Sequence, residues 1–501
     1  MNEQPSQFKW VGTRVIRPDG VDKVTGRAMY GADLTMPGML QGKVLRSPHA
    51  HAKIKSIDTS KAEALDGVKA VITAHDMPVA DPKPVAAGEA MINMRDLSDN
   101  VIARHKVLYE GQTVAAVAAK TTEIAEKALA LIEVDYEVLP HVIDVLEAMK
   151  EDAPLLHDDM FTGGIKPKPE KPSNVANRVE FSLGDAEAGF ADADVVIEKN
   201  FTTAPVHQGY IEPHAVVADA NPDGKVDIWC SSQGHFMVRT FISGLLKIDM
   251  SKIKVTAAEI GGGFGGKTTV YLEPLAVMLS GKASRPVRMV MNREEVFRAS
   301  GPTSGAALTV KMGATKDGRI VAGDATLYFQ AGAWPGSPVG PAAMTAFAPY
   351  DIANVKVVGY DVVSNRQKVV AYRAPGAPIS EYGVESIVDE IAAKLGIDPL
   401  EFRAKNAAKE GTQAAYGVKF GAIGMLETVE AAQGTEHYKT ALGPNQGRGV
   451  ASGFWFNIGG ESCAGIRINE DGTVSLTEGS PDIGGSRASM ALMAAETLGV
   501  D

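Results

Sequence analysis

Gly261-Gly262-Gly263-Phe264-Gly265-Gly266-Lys267 lies between an apolar, β-leaning run (Ile253 to Ile260) and a helix-like pattern (Val270 to Leu279). Five glycines in six positions free the backbone for conformations that side chains forbid. They also let backbone N–H groups approach a ligand closely. A row of N–H groups turned into one concavity binds anions, more strongly where a helix begins. The stretch therefore predicts a strand–loop–helix cradle for a phosphate or another electron-rich group. Gly261 to Thr268 also satisfies the phosphate-loop pattern G-x-x-x-x-G-K-[ST]. A nucleotide hydrolase would further need an acidic residue ending a second buried strand to hold Mg²⁺, and no convincing hydrophobic strand ends in such an Asp. A Gly-rich turn without a ligand is the third reading.

Other motifs surround the loop. Ser231-Ser232-Gln233-Gly234-His235 precedes it, Arg285-Pro286-Val287-Arg288-Met289 and Arg293-Glu294-Glu295 follow, and Tyr372-Arg373-Ala374-Pro375-Gly376-Ala377-Pro378 comes later. Taken in this order, from about Arg17 to Asp501, the set resembles the molybdenum-cofactor subunit of the xanthine oxidase and aldehyde oxidase family. The resemblance implies an α+β protein: an N-terminal α/β hammerhead domain followed by mixed α/β molybdopterin-binding domains. It implies a molybdenum–pterin cofactor, either molybdopterin or its cytosine dinucleotide form, which the protein surrounds without ligating the metal. By position, Gln233 would hydrogen-bond the metal's oxo group. Gly263, Phe264 and Gly265 would touch the cofactor's ligand sphere through backbone, and Arg373 and Ala374 would form the loop on the other side. Gln233 and Arg373 are thus the candidate catalytic residues, and Gln233, Phe264 and Arg373 the near-metal contacts. A guanidinium can steady developing negative charge or orient a substrate.

The reaction implied is oxidation of an electron-poor carbon with water as the oxygen source. Electrons then pass to a [2Fe-2S] iron–sulfur subunit and an FAD-bearing flavin subunit, in a dimer of heteromers acting on a small molecule. Such chemistry needs a base, in this family a Glu in a Gly-rich motif near the C-terminus. Family members usually extend well beyond residue 501, and Glu461, after Gly459-Gly460, sits in the wrong motif. The expectation is that another chain, or a continuation of this one, supplies the missing C-terminal part, and that residues 1–501 alone are inactive. Purine-oxidising members usually place a Glu after Gly-Gly-Lys, where this chain has Thr268, and carbon-monoxide-oxidising members a Cys where it has Ala374. Aldehydes, N-heterocycles and aromatic acyl compounds remain. The alternatives are a phosphate-loop nucleotide hydrolase or a non-catalytic fragment that only binds cofactor.

Composition bounds these readings. The 501 residues are 45% hydrophobic and 22% charged, enough chain for several cores. A net charge of −11 argues against a nucleic-acid partner. Cys230 and Cys463 are too few for a disulfide framework or a four-thiolate cluster, and both read as buried, reduced thiols. Met1 to Trp10 lacks the pattern of a signal peptide, and no apolar run is long enough to span a membrane. A cytoplasmic protein is the default.

Along the chain, residues 1–16 read as an arm and 17–140 as the hammerhead domain. Residues 141–180 read as a charged, Pro-rich connector, 181–410 as the first molybdopterin-binding domain, and 411–501 as the start of a second. Leu40 to Ile57 alternates as strand around Ser47-Pro48-His49, which would put His49 and His51 on one face. Thr122 caps a helix, and strand Ile132 to Val138 follows. In His207-Gln208-Gly209-Tyr210-Ile211-Glu212-Pro213-His214 a carboxylate lies between two histidines, but Pro213 bars the regular helix that zinc geometry uses, so the turn reads as architecture. Val384, Ile387, Val388, Ile391 and Leu395 form a helical stripe stopped at Gly396. Asp398-Pro399-Leu400-Glu401 opens another helix, whose Arg403 and Asn406 are expected to face solvent. Strands over 465–469 and 474–478 predict a hairpin. Gly484, Gly485 and Ser486 then open a helix to Leu498 as a second anion cradle, which in the family helps hold the pterin; the Gln often found there is absent.

Overall fold

The computed structural model describes residues 8–87, 90–456 and 462–501; Glu461 lies outside them. Its chain falls into two compact units, one of Met1–Leu139, Gln208–Ser300 and Ile458–Asp501, the other of Pro140–His207 and Gly301–Asn457.

The first unit is built on a seven-stranded mixed sheet. In spatial order its strands are Ile253–Ala257, Val226–Cys230, Ala215–Ala220, Val287–Val290, Leu40–Arg46, Thr113–Ala119 and Val68–Thr73. Thr113–Ala119 is buried along its whole length, as expected of a strand covered on both faces. Its small alanines let helix Thr122–Leu129 pack closely on the sheet. Helix Glu273–Ala283 lays Leu275, Ala276 and Leu279 into the main core of this unit. Most important for function, Ile253–Ala257 runs parallel to Val226–Cys230, with Cys230 opposite Ala257. Both chains therefore leave the sheet at the same end. Carboxyl ends of neighbouring parallel strands are where open α/β sheets place their ligands.

The second unit has a five-stranded sheet in the order Val195–Thr203, Ala306–Ala314, Ile320–Gly332, Val355–Val363, Val175–Leu183. Helix Ala377–Leu395 packs on it, burying Val384, Ile387, Val388 and Ile391 in its core. Gly396 ends the helix in the left-handed region (φ 69°), its N–H returning to Ala392 and Ala393. Asp398 then caps helix Pro399–Asn406 by accepting from Leu400 and Glu401 N–H. The expected solvent face of this second helix is corrected: Arg403 and Asn406 are both fully buried.

Other expectations shift by small amounts. The cap of helix Thr122–Leu129 is Thr121 rather than Thr122, and the following strand is Glu133–Val138. His49 and His51 occupy the bend between Leu40–Arg46 and Ala52–Asp58, so no strand face unites them. The C-terminal hairpin, Ala464–Ile468 with Val474–Glu478, and helix Ser486–Leu498 form as expected. Cys463 is exposed, not buried, whereas Cys230 is buried and its thiol is pushed well up by desolvation.

Candidate cofactor site

The two loops leaving the parallel strands meet through Gln233. After Cys230 the chain passes Ser231 and Ser232 and enters helix His235–Leu246 with Gly234 as its cap. Gln233 stands at that junction. Its Oε1 accepts from Gly265 N–H at 2.8 Å and from Lys267 N–H at 3.1 Å. Its own backbone N–H donates to Lys267 C=O at 2.9 Å. Two amide donors on Oε1 fix the orientation of the side-chain amide. Its Nε2 then donates to no group among the described residues, leaving two N–H donors for a ligand.

The glycines are required by this contact. A Cβ on Gly263 would sit 2.4 Å from Gln233 Oε1. Gly265 has φ +104°, outside the range of side-chain-bearing residues. Between them Phe264 adopts φ 53°, a conformation bulky residues rarely take and one that marks functional sites. The residue is 48% exposed, so no deep burial compensates the strain.

Beneath the loop lies a buried ion pair. Lys267 Nζ donates to Glu212 Oε2 at 2.7 Å, and the same oxygen accepts Gly261 N–H at 2.7 Å. The ammonium also lies over the Tyr210 ring, 4.9 Å from its centre. Tyr210 Oη is bonded to His214 Nε2 at 2.6 Å and to Ser300 Oγ at 3.1 Å, and burial pushes its hydroxyl up to about 12. Desolvation pulls the Lys267 ammonium down, opposed by Glu212. The Tyr210–His214 segment is therefore the loop's floor, not a metal site. Its role went unseen in the sequence because Glu212 and Lys267 stand 55 residues apart.

These facts overturn the phosphate-loop reading. A phosphate-binding lysine must present its ammonium to the ligand, whereas Lys267 is buried against Glu212. The loop does not open a helix either, because helix Glu273–Ala283 begins after an intervening segment. The cradle is made of loop backbone and one side-chain amide, which stands just before the N-terminus of helix His235–Leu246.

Arg373 and Ala374 belong to the second unit, on the loop leading into helix Ala377–Leu395. Arg373 is exposed, and its guanidinium bonds to no group among the described residues. Ala374 repeats the strain of Phe264, with φ 60°. Gly484 (φ 67°) and Gly485 (φ 97°) form the turn before Ser486 in the first unit. There Asp482 Oδ1 takes Arg487 N–H at 3.1 Å and the Ser486 hydroxyl at 3.3 Å, so a carboxylate of the chain already serves that helix end. Asp482 also joins Asp19 and Glu259 in the one group of three carboxylates among the described residues close enough to share a metal ion. Arg17, Lys23 and Arg487 neutralise that group, and Arg17 lies against Gly485.

Parallel strands delivering a glycine-lined backbone and one oriented amide define a cofactor-binding α+β protein. Residues 167–407 match the molybdopterin cofactor-binding domain, and residues 25–140 match the a/b hammerhead domain of aldehyde oxidase and xanthine dehydrogenase. The chain is 31% identical over 432 residues to the nicotinate dehydrogenase large molybdopterin subunit of Eubacterium barkeri, a match covering 85% of this chain and 96% of that one. It is 31% identical over 509 residues to the xanthine dehydrogenase molybdenum-binding subunit of Escherichia coli O157:H7, covering 97% of this chain and 65% of that one. Among solved structures, quinoline 2-oxidoreductase from Pseudomonas putida superposes with a TM-score of 0.83 at 25% identity, over 98% of this chain and 65% of that one. The chain belongs to the molybdenum-cofactor-binding large subunits of the xanthine oxidase family. It spans half to two thirds of the length of several relatives, and nearly all of the Eubacterium protein.

Proposed function

We propose that this chain is the molybdopterin-binding part of a molybdenum hydroxylase that oxidises a small electron-poor carbon compound with water as oxygen source. The observation that carries the reading is Gln233, whose Oε1 is consumed by the loop while Nε2 keeps two donors for the acceptor atoms of a metal–oxo group. When bound, the molybdenum–pterin supplies the two-electron oxidation and oxygen transfer; the chain supplies orientation. Gly263, Phe264 and Gly265 line the approach with backbone, and Gly484, Gly485 and Ser486 form a turn toward the pterin. Arg373, exposed and unpaired among the described residues, would orient substrate or steady negative charge, with Ala374 holding its loop.

An N-heterocycle is favoured within the class. The relatives named for nicotinate and quinoline act on such rings. Thr268, following the loop lysine, donates to Gly265 C=O at 2.8 Å and brings no carboxylate for a purine. Three carboxylates around the loop are already engaged: Glu212 holds Lys267, Glu259 pairs with Lys23 and Arg487, and Glu273 is buried accepting Tyr271 N–H, with desolvation raising its carboxyl. The base would be a Glu of the family's Gly-rich motif. Iron–sulfur and flavin subunits carry the electrons onward, the assembly is a dimer of heteromers, and its place is the cytoplasm. Among the described residues no helix is long and apolar enough to cross a membrane. Residues 17–140, 181–410 and 411–501 act as hammerhead, first and second cofactor-binding segments, with arm 1–16 and connector 141–180.

The test is to purify the complex from its native host through a tag on this chain. Expected are molybdenum and pterin, iron and flavin, and a hydroxylated heterocycle whose new oxygen comes from labelled water. Absence of molybdenum from an intact complex sinks the reading.

A further inference from the structure

We propose that Lys267 and Glu212 form a positioning pair that holds the Gly261–Lys267 loop in the conformation that consumes Gln233 Oε1 and leaves Gln233 Nε2 to the molybdopterin. The inference rests on the function proposed above and assigns to two buried residues a task in it.

The pair closes the loop from both ends. A single atom, Glu212 Oε2, gathers the first N–H of the loop, from Gly261, and the ammonium of its last residue, Lys267. The backbone of Glu212 binds there too, donating its N–H to Gly261 C=O at 3.2 Å. Lys267 is in turn fastened to Gln233 on both sides of its own α-carbon: its N–H donates to Gln233 Oε1, and its C=O accepts Gln233 N–H. Any displacement of Lys267 thus reaches the amide of Gln233 through one residue.

Stability does not explain the pair. Its ammonium and carboxylate are both buried, yet Glu212 Oε1, also buried, has no hydrogen-bond partner among the described residues. A buried ion pair with an acceptor left over is commonly no better for stability than uncharged residues of the same volume. The loop it braces is itself strained at Phe264 and would relax without a brace. Charge is spent here on geometry. In mechanism, neither side chain touches the ligand; both act through the loop and Gln233.

The test uses the tagged complex from the native host, with Lys267→Met and Glu212→Gln introduced together. This pair removes both charges, keeps the volume and keeps an acceptor for Gly261 N–H. Molybdenum per chain, the Mo(V) electron paramagnetic resonance spectrum and the thermal unfolding midpoint are read on the same preparation. Expected are an unchanged unfolding midpoint, about tenfold less retained molybdenum, and an altered spectrum in what remains. Full molybdenum with an unaltered spectrum overturns the inference while leaving the proposed function standing. A wild-type complex without molybdenum defeats the proposed function itself. If that double variant does not accumulate, the same readings on Lys267→Gln with Glu212→Gln, which also leaves no buried charge and keeps a donor facing residue 212, decide. Loss of folding in that variant as well makes the pair a stability element and overturns the inference.

Discussion

Two buried ion pairs, one in each unit, have the same chemistry and different surroundings. Arg403 and Glu385 have side chains 0% and 6% exposed; Lys267 and Glu212, 1% and 8%. Arg403 spends all five of its N–H donors: two on Glu385, one on Asp389, and one each on the carbonyls of Pro399 and Val450. Glu385 also accepts Ser452 N–H at 2.6 Å and the Tyr350 hydroxyl. Among the described residues everything buried there is satisfied, and the pair fastens the 450–452 stretch to helix Ala377–Leu395. Beneath the glycine loop one carboxylate oxygen does two jobs and the other, among the described residues, does none. A saturated network is architecture. The unsaturated pair lies beside a strained backbone, as the positioning role proposed for it requires.

The comparison can be broken most easily at Arg403. Arg403→Met leaves Glu385 buried without its countercharge, and should cost about 3–5 kcal/mol in urea-induced unfolding. A cost no larger than that of an exposed arginine would remove the contrast. Replacing both partners separates the sites further. Arg403→Met with Glu385→Leu orphans the Tyr350 hydroxyl, Ser452 N–H and Val450 C=O, at about 1–3 kcal/mol for each group left dry. Lys267→Met with Glu212→Gln should stay within about 1 kcal/mol of wild type. Equal losses in the two double variants would erase the distinction.

Glu381 sharpens it through pH. Buried one helical turn from Glu385 and accepting Phe454 N–H at 2.8 Å, its carboxyl is raised from 4.5 to about 7, chiefly by desolvation. The fold therefore holds its proton more tightly than the unfolded chain does. Its stabilising contribution is complete below pH 4.5 and shrinks as pH rises to about 7, by roughly 2 kcal/mol. Unfolding midpoints across that window should show the fall, and Glu381→Gln should flatten this part of it. The smallest effect belongs at the surface. Lys199 pairs with Glu390 where both side chains are well exposed, and Lys199→Ala should change stability by less than about 0.5 kcal/mol.

What could be read from the sequence follows how far each cause reaches along the chain. The stripe ending at Gly396, the Asp398 cap and the hairpin around Asn469-Glu470-Asp471-Gly472 are local, and the structure has them where periodicity and turn chemistry put them. The strand before the glycine loop ends early, at Ala257, and the helix after it starts late, at Glu273. Both shifts leave room for Lys267 to turn beneath the loop toward a partner 55 residues back. Arg403 was misplaced for the same reason. A charge on a helix defaults to solvent unless its partner is known, and Glu385 lies 18 residues earlier on another helix. The family resemblance identified Gln233 by position, but only the structure shows which end of its amide is committed.

That commitment has a consequence for discrimination. With its oxygen held by two main-chain amides, Gln233 cannot rotate to swap its ends. Whatever atom comes to rest opposite Nε2 must be rich in electrons, and a hydroxyl or ammonium seeking an acceptor gets none from this amide. The loop has turned an ambivalent side chain into a one-way filter for polarity, fixed before any ligand arrives.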